Sequence, residues 1–267
     1  MAYFRIEYYS NALRRTTSFE MFIPNDPRDP EGLPGNPGGE GKAEPKPMRT
    51  LFLLHGYTGK AGNWVPEDVA AGYNLTIVMP TAENSFYLNG AATGRAYQTM
   101  VGEELVAYVR KTFGLAKKRE ETFIAGLSMG GFGALHTGFA YPETFGKIAA
   151  LSSALIVHEI ARMKPGESNG VANYEYYREC FGDPATAEER DVNPEFQVLQ
   201  LKKKKARIPD LFMACGTEDF LIENNRQLHA FLKQEEIPHV YLEGPGIHDM
   251  VFWSAYIVKA IEWMAGS

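Results

Sequence analysis

The sequence predicts an α/β fold in which helices cover both faces of a mostly parallel β-sheet. Three observations lead to this fold class. Short apolar runs of strand length recur, stretches with apolar residues at helical spacing lie between them, and the two kinds alternate from about residue 50 to the C-terminus. The chain has 267 residues, of which 45% are hydrophobic. That is enough for one large domain with a substantial core, so we expect a single domain over residues 1–267.

The N-terminal part departs from this alternation. Residues 2–9 and 16–23 are rich in Tyr, Phe, Ile and Thr, and Ser10 and Asn11 separate them. This composition predicts an antiparallel pair of strands. Residues 24–48 are crowded with proline and glycine, so we expect a flexible surface loop without secondary structure.

The alternating part supplies the remaining strands and helices. The predicted strands are short and apolar, and they cover residues 51–54, 75–79, 122–125, 148–151, 211–215 and 239–242. The predicted helices cover residues 98–112, 131–140, 221–235 and 251–265. Residues 155–208 have no clean period and are expected to form an irregular or helical insertion. Because this insertion falls between two predicted strands, we expect it to lie over the C-terminal edge of the sheet as a cap.

Charge and composition exclude several classes of function. The net charge is −6 and the pI is near 5.6, which argues against nucleic acid as the main partner. Lys202–Lys205 is the one basic block and is expected to be solvated. No stretch reads as a signal peptide or a membrane span, so we expect a cytoplasmic protein without a membrane partner. Cys180 and Cys215 are too few for a disulfide framework, and Cys215 is expected to be a buried strand thiol.

The stretch Gly126-Leu127-Ser128-Met129-Gly130 is the clearest indication of chemistry. An apolar run of strand type precedes it and a helical stretch follows it, which is the context of a G-x-S-x-G nucleophile elbow. In so tight a turn, a side chain at either flanking glycine would collide with the neighbouring strand or helix. The alternative is a glycine-rich strand-to-helix turn without catalysis. The strand-helix context and the further small residues Gly131, Gly133 and Ala134 favour the elbow.

A serine hydroxyl needs a neighbouring base to become a nucleophile, and in this architecture an acid and then a histidine follow the serine along the chain. That order leaves four candidates, His158, His229, His239 and His248. His229 lies in a helical pattern, and His239 begins a strand. His248 lies in the loop between the last strand and the last helix, and open α/β sheets keep their active sites in loops of this kind. We therefore predict that His248 is the base.

The acid that orients this base is expected just after the strand at 211–215. Asp219 lies there and is favoured, with Glu218 as the second choice. Asp249 adjoins the base but stands directly before the last helix, so we expect it to cap that helix. Asp183 precedes a proline and is expected to be a turn residue.

The oxyanion hole of such a site needs two backbone N–H groups. The N–H of Met129, directly after the serine, is expected to be one of them. The sequence HGYTG after the strand at 51–54 supplies the other, since Gly56 lets the backbone turn and makes the Tyr57 N–H the expected donor. His55 is expected to hold the loop by hydrogen bonds. A phosphate-binding loop is the alternative for HGYTG, but it lacks a following Lys-Ser/Thr at P-loop spacing.

Together these motifs resemble a known family. LLHGYTGKAGNW, MPTAENSFYLNG, FIAGLSMGGFGAL, CGTEDFL and GIHDMVFW are similar, in order and spacing, to the putative-esterase family of tributyrin, cinnamoyl and feruloyl esterases and S-formylglutathione hydrolases. The resemblance implies an α/β-hydrolase fold and hydrolysis of a small carboxylic ester without metal or organic cofactor. It also implies that Ser128 is the nucleophile, His248 the base and Asp219 its orienting acid, with Tyr57 and Met129 donating to the oxyanion.

The predicted activity is therefore that of a serine carboxylesterase for short acyl or arylacyl esters. A thioesterase of the S-formylglutathione hydrolase type is one alternative, although HGYTGKAGNW differs from the corresponding loop of those enzymes. A non-catalytic binding protein with this fold is the other, and the complete order of serine, acid and histidine disfavours it. The apolar and aromatic residues of segment 155–208 are expected either to pack on the domain or to form an apolar wall of a closed acyl pocket.

Overall fold

The structure is a computed structural model, and it describes residues 2–24 and 48–266. The described residues form an eight-stranded sheet. Its strands are β1 (Ala2–Ser10), β2 (Arg15–Ile23), β3 (Arg49–Leu54), β4 (Leu75–Pro80), β5 (Thr122–Leu127), β6 (Lys147–Leu151), β7 (Asp210–Gly216) and β8 (Val240–Gly244).

The strand order in the sheet is β1-β2-β4-β3-β5-β6-β7-β8. β2 is antiparallel to both β1 and β4, and all other neighbouring pairs are parallel. The predicted mostly parallel sheet and the antiparallel N-terminal pair are thus confirmed. The proline- and glycine-rich loop predicted at 24–48 lies outside the described residues, except for its two end positions.

Helices follow most strands. They are α1 (Glu67–Gly72), α2 (Tyr97–Thr99), α3 (Val106–Phe113), α4 (Met129–Ala140), α5 (Val157–Ile160), α6 (Tyr174–Phe181), α7 (Pro194–Lys203), α8 (Ile222–Gln234) and α9 (Met250–Ala265). The helix predicted at 98–112 is interrupted, because Met100–Leu105 forms a π-helical turn between α2 and α3. Its predicted apolar face is nevertheless buried, since Val101, Leu105 and Val109 are all inaccessible to solvent.

Two apolar layers cover the sheet, one on each face. Along β3, Leu51 and Leu53 point into the layer that includes residues of α1 and α9. Phe52 and Leu54 point into the layer that includes residues of α3, α4 and α8. This period of two is the side-chain geometry of a strand, and burial on both faces explains why the central strands are continuous apolar runs.

The parallel register brings the C-terminal ends of the central strands to one edge of the sheet. Leu54 at the end of β3 is paired with Gly126 in β5, and Leu127 at the end of β5 is paired with Leu151. Gly216 at the end of β7 is paired with Gly244 at the end of β8. The loops that contain the predicted site residues therefore all leave the sheet at this edge.

The segment at 155–208 is helical in part. It contains α5, α6, α7 and a 3₁₀-helix at Pro184–Glu189. Much of its apolar surface packs into the same layer as α4, including the fully buried side chains of Ile160, Tyr177 and Phe181. Tyr176 on α6 is half-buried, and its ring meets the ring of Tyr57 edge to face. One residue of the insertion thus reaches the predicted oxyanion loop, while most of its apolar residues belong to the core.

Neither cysteine is suited to chemistry. Cys215 is fully buried in β7, as predicted, and Cys180 is buried in α6. Burial raises the pKa of both thiols to about 12, so neither forms the reactive thiolate at neutral pH. Among the helices that the structure describes, none is long and apolar enough to cross a membrane.

Candidate active site

Ser128 occupies a strained turn between β5 and α4. Its backbone angles are φ 55° and ψ −120°, a conformation that residues other than glycine seldom adopt. Steric contacts explain the two flanking glycines. A Cβ at Gly126 would lie 2.2 Å from the Gly130 carbonyl oxygen, and a Cβ at Gly130 would lie 2.4 Å from the Leu54 carbonyl oxygen. Neither backbone atom is able to move aside, so the predicted elbow requires glycine at both positions.

Backbone hydrogen bonds hold this turn on the sheet. The Ser128 N–H donates to the Leu151 carbonyl over 2.9 Å. The Ser128 carbonyl accepts from Phe132 N–H at 3.1 Å and from Ala154 N–H at 3.0 Å. These bonds connect the elbow to β6 and to the first turn of α4, so the serine sits on a rigid support.

The three side chains predicted to form the catalytic unit lie in one hydrogen-bonded chain. The Ser128 Oγ is 3.0 Å from His248 Nε2, and His248 Nδ1 is 2.9 Å from Asp219 Oδ2. The Asp219 side chain is inaccessible to solvent, the His248 side chain is 17% exposed, and Ser128 is half-buried. The acid is therefore the most deeply buried of the three side chains, and both His248 and Ser128 remain in part accessible to solvent.

The carboxyl group of Asp219 is ionised despite its burial. Burial by itself raises the pKa of this group, but hydrogen bonds from His248 and from the Leu221 N–H outweigh burial and bring the pKa below its ordinary value. The Leu221 N–H donates to Oδ1 over 2.9 Å. A carboxylate in this place accepts from Nδ1, so Nδ1 carries the proton and Nε2 presents its lone pair to Ser128.

The other two acidic residues near His248 have different partners. Asp249 caps α9, as predicted, because its Oδ1 accepts from Val251 N–H at 3.0 Å and Phe252 N–H at 3.1 Å. Glu218, the second candidate for the acid, is bonded to the backbone: its Oε2 accepts from Gly246 N–H at 2.7 Å. Glu218 therefore fastens the loop that contains His248 to the end of β7.

The HGYTG loop at residues 55–59, which is predicted to supply an oxyanion donor, lies against the elbow. A Cβ at Gly56 would be 2.8 Å from Leu127 Cδ1 and 3.5 Å from Ser128 Cβ, so the loop backbone approaches the serine closely there. Within residues 2–24 and 48–266, no acceptor takes a hydrogen bond from the N–H of Tyr57 or Met129. The Met129 N–H is also the first N–H of α4, which has no partner inside a helix and lies at the positive end of the helix dipole.

His55 holds this loop, as predicted. Its Nδ1 is 2.8 Å from the Gly56 carbonyl, and its Nε2 accepts from the Ala82 N–H at 3.1 Å. The carbonyl of His55 accepts from the hydroxyl of Tyr87 at 2.9 Å. Burial lowers the pKa of His55, so its ring stays neutral with the proton on Nδ1.

The other three histidines considered as the base have partners other than Ser128. His158 contacts Glu188 over 2.7 Å and Glu195 over 3.2 Å. His229 Nδ1 is 2.7 Å from His239 Nε2. Asp183 caps the 3₁₀-helix that begins at the next residue, which agrees with its prediction as a turn residue. Within the described ranges, no group of three or more His, Cys, Asp or Glu side chains is placed to hold a metal ion.

Aromatic residues near the site were expected only as one alternative for segment 155–208, and Phe86, Phe220 and Trp253 were not predicted to lie there. The rings of Phe220 and Trp253 flank His248, with centroids 4.5 Å and 4.8 Å from the imidazole. On the side of the oxyanion loop, Tyr57 packs against Phe86 and Tyr176. Phe220 could have been found from the sequence, because it directly follows Asp219. Tyr176 could not, because it is more than 100 positions from Tyr57. Only the folded chain brings that pair together.

Sequence comparison places these motifs in a family. The family profile described as Putative esterase matches residues 42–264. The chain is 40% identical to an acetyl esterase of Caldicellulosiruptor saccharolyticus over 271 residues, which cover 99% of this chain and 98% of the relative.

Two solved structures from Staphylococcus aureus have the same fold. A substrate-bound fluorophosphonate-binding serine hydrolase, FphF, has a TM-score of 0.81 at 26% identity, covering 99% of this chain and 98% of that one. The S-formylglutathione hydrolase FrmB, as apoenzyme, has a TM-score of 0.79 with the same identity and the same coverage of both chains. The chain therefore belongs to the Putative esterase family, has an α/β-hydrolase fold, and is a serine carboxylic ester hydrolase.

Proposed function

We propose that this enzyme hydrolyses esters of small acyl or arylacyl groups through an acyl-enzyme intermediate, with Ser128 as nucleophile, His248 as general base and Asp219 as the acid that orients it. The observation that supports these roles is the chain of hydrogen bonds from Asp219 through His248 to Ser128 Oγ. The serine lies on a strained elbow, and the acid is buried and ionised. Such an arrangement fits a nucleophile that needs a positioned base.

Acylation begins when Ser128 Oγ attacks the carbonyl carbon of the ester and its proton moves to His248 Nε2. The carbonyl oxygen becomes an oxyanion, which the N–H groups of Tyr57 and Met129 stabilise. When the tetrahedral intermediate collapses, the bond from carbon to the alcohol oxygen breaks, and Nε2 returns the proton to that oxygen. The alcohol leaves, and the acyl group remains on Ser128 Oγ.

Deacylation repeats these steps with water. His248 Nε2 takes a proton from the water molecule that attacks the acyl carbon, and then gives it to Ser128 Oγ as the carboxylic acid departs. In both stages the imidazole becomes an imidazolium while it holds the proton. The ionised carboxylate of Asp219, 2.9 Å from Nδ1, stabilises that cation.

Aromatic residues support a preference for short or flat acyl groups. The rings of Phe86 and Tyr176 pack on Tyr57 with centroids 6.3 Å and 6.1 Å away, so they stand beside the proposed oxyanion donor. The Tyr176 hydroxyl donates to the Asn84 carbonyl over 2.6 Å, which fixes this ring of the insertion in place. Acetyl ester hydrolysis by the relative at 40% identity also supports a short acyl group.

A panel of 4-nitrophenyl esters tests this preference, because the leaving group stays constant while the acyl group changes. We expect kcat/KM to be highest for acetate or butyrate and to fall steeply by octanoate. Each methylene group that fits the acyl pocket adds about 0.8 kcal/mol of burial free energy, which is roughly fourfold in kcat/KM. A methylene group that meets the rings of Phe86 and Tyr176 loses that gain. A value of kcat/KM that still rises at palmitate contradicts the proposal and indicates an open groove.

The variant Tyr176→Ala tests whether the Tyr176 ring limits the length of the acyl group. Removing this ring should move the optimum toward longer acyl chains, since space opens beside Tyr57. Tyr174→Ala is the matched control, because Tyr174 is a half-buried tyrosine of the same helix and makes no ring contact with Tyr57. The same shift of the optimum in both variants would contradict a specific role for Tyr176.

A thioesterase of the S-formylglutathione hydrolase type is the second candidate. The likeness to FrmB favours it. A comparison of kcat/KM for S-formylglutathione and for 4-nitrophenyl acetate separates the two functions. We expect the oxygen ester to be preferred, and a preference of several orders of magnitude for the thioester would replace the first proposal with the second.

A further inference from the structure

Exposed apolar side chains collect around the proposed general base. The described residues include eight large apolar side chains that are exposed, and four of them contact His248 or lie within three positions of it. These are Phe220 (73% exposed), Ile247 (55%), Met250 (45%) and Val251 (79%). We refer to them as the apolar rim. Scattered exposed apolar residues need no explanation, but a cluster beside a reactive group is typical of a binding surface.

Phe220 is the member of the apolar rim with a direct contact to the proposed base. Its ring centroid is 4.5 Å from that of His248, at an interplanar angle of 48°. The buried ring of Trp253 meets the imidazole at 88°. Trp253 therefore supports His248 from the core, and Phe220 covers it on the solvent side.

We infer that the apolar rim is a subsite for the alcohol part of the ester, and that it selects neutral, apolar alcohols. The inference rests on the proposed function. When the ester is cleaved, His248 Nε2 gives its proton to the alcohol oxygen, so that oxygen lies within hydrogen-bond distance of the imidazole. The rest of the alcohol extends from there into solvent, and Phe220 is the exposed ring that it meets.

The chemistry of the apolar rim determines which alcohols it favours. None of its four side chains has a hydrogen-bonding group, so it contributes burial and dispersion but no polar recognition. Charges near it in the chain are mostly negative. Glu218 precedes Phe220, and the guanidinium of Arg226 is paired with Glu223 and Glu243 at 2.7 Å each. The first basic side chain after Phe220 in the sequence is thus already paired with two carboxylates, so this segment offers an anionic leaving group negative charge and no unpaired cation.

The test keeps the acyl group constant and changes the alcohol. Acetate esters of methanol, benzyl alcohol and 4-(hydroxymethyl)benzoate form the same acetyl-enzyme, so differences in kcat/KM report the alcohol alone. We expect the wild-type enzyme to prefer benzyl acetate over methyl acetate. We also expect it to discriminate against the carboxylate-bearing ester, and this discrimination should weaken as salt is added.

The variant Phe220→Ala should reduce the ratio of kcat/KM for benzyl acetate to that for methyl acetate by about fivefold, if the phenyl ring buries about 40 Å² of apolar surface on Phe220. Inhibition by benzyl alcohol, the free product, should weaken to a similar degree. Phe4→Ala is the matched control, because Phe4 is also exposed but lies on β1, at the opposite edge of the sheet from β8. Its ratio should equal that of the wild type.

If the ratio of kcat/KM for benzyl acetate to that for methyl acetate is unchanged in Phe220→Ala, the inference is overturned. If gel filtration then also shows that the substitution disrupts a dimer, the apolar rim binds a second copy of the chain instead of the alcohol. An equal loss of kcat/KM for all three esters overturns it as well, because it indicates a role in positioning His248. Active-site labelling separates this failure from failure of the proposed function. If a fluorophosphonate labels Ser128 in the wild-type protein, the proposed function stands even when the ester ratios overturn the inference about the apolar rim.

Discussion

Replacing Asp219 with asparagine removes a charge from the buried end of the hydrogen-bonded chain and changes little else in shape. In the native protein Oδ2 accepts from His248 Nδ1, while Oδ1 accepts from the Leu221 N–H. An asparagine that keeps the bond to Leu221 points its NH₂ group at Nδ1. The imidazole then favours the tautomer with its proton on Nε2, and this tautomer is unable to take the proton of Ser128.

The size of the effect follows from the distance. In the proposed acylation step, His248 becomes a cation 2.9 Å from the carboxylate of Asp219. With an effective dielectric constant of about 20, this attraction is on the order of 5–6 kcal/mol. Since about 1.4 kcal/mol corresponds to a factor of ten in rate, the loss of kcat is expected to be about 10⁴-fold. The fold should persist, because asparagine fills the same space.

The assay is hydrolysis of 4-nitrophenyl acetate by variants whose fold has been checked by circular dichroism. Asp249→Asn is the matched control, since Asp249 also adjoins His248 but caps α9, and asparagine is an equally good cap. Its kcat should stay within about twofold of the wild type. Glu218→Gln should reduce kcat by less than about tenfold, because the amide oxygen is still able to accept from Gly246 N–H. A larger loss in either of these two variants than in Asp219→Asn would refute the assignment of the acid.

Two further predictions concern stability. Gly130→Ala should lower the free energy of unfolding by about 1–3 kcal/mol or more, because the new Cβ meets two backbone carbonyl oxygens at 2.4 Å and 2.7 Å. Gly62→Ala is the control and should cause no such loss, because a Cβ at Gly62 has no atom within 4 Å apart from its own residue and its two chain neighbours. Urea denaturation that shows equal effects would contradict the steric account of the elbow. Burial lowers the pKa of His136 from 6.5 to about 4, so the unfolded chain takes up this proton first as the pH falls. Stability should therefore decline between about pH 6.5 and pH 4, by up to about 1.4 kcal/mol per pH unit from this residue. The decline should be shallower in His136→Gln, and an identical slope would contradict the prediction.

Much of the fold could be predicted because local patterns agree with the tertiary structure. The central strands are buried on both faces, so they appear as uninterrupted apolar runs, and the helix predicted at 251–265 is observed at Met250–Ala265. The π-helical turn at Met100–Leu105 leaves no such signal, because its apolar residues still fall on one face. Packing rather than local propensity decides that geometry.

The arrangement of the site was predictable where sequence order limits the choice. Ser128, Asp219 and His248 each follow a strand of the sheet, and parallel strands bring their C-terminal ends to one edge. The sequence left Glu218 open as the acid, and the bond from Gly246 N–H to its carboxylate explains its different position. The contact of Tyr176 with Tyr57 was not predictable, since the insertion that contains Tyr176 has no period from which its path could be derived.

Labelling with a fluorophosphonate probe tests the central claim most directly. The probe forms a covalent bond only with a serine that has been activated by its neighbours, and peptide mass spectrometry identifies the residue. We expect one adduct per chain, located on Ser128, with complete loss of esterase activity. We expect no adduct in folded Ser128→Ala, whose kcat should fall by about 10⁶-fold. An unlabelled wild-type protein, an adduct on another residue, or near-normal turnover by Ser128→Ala would contradict the account.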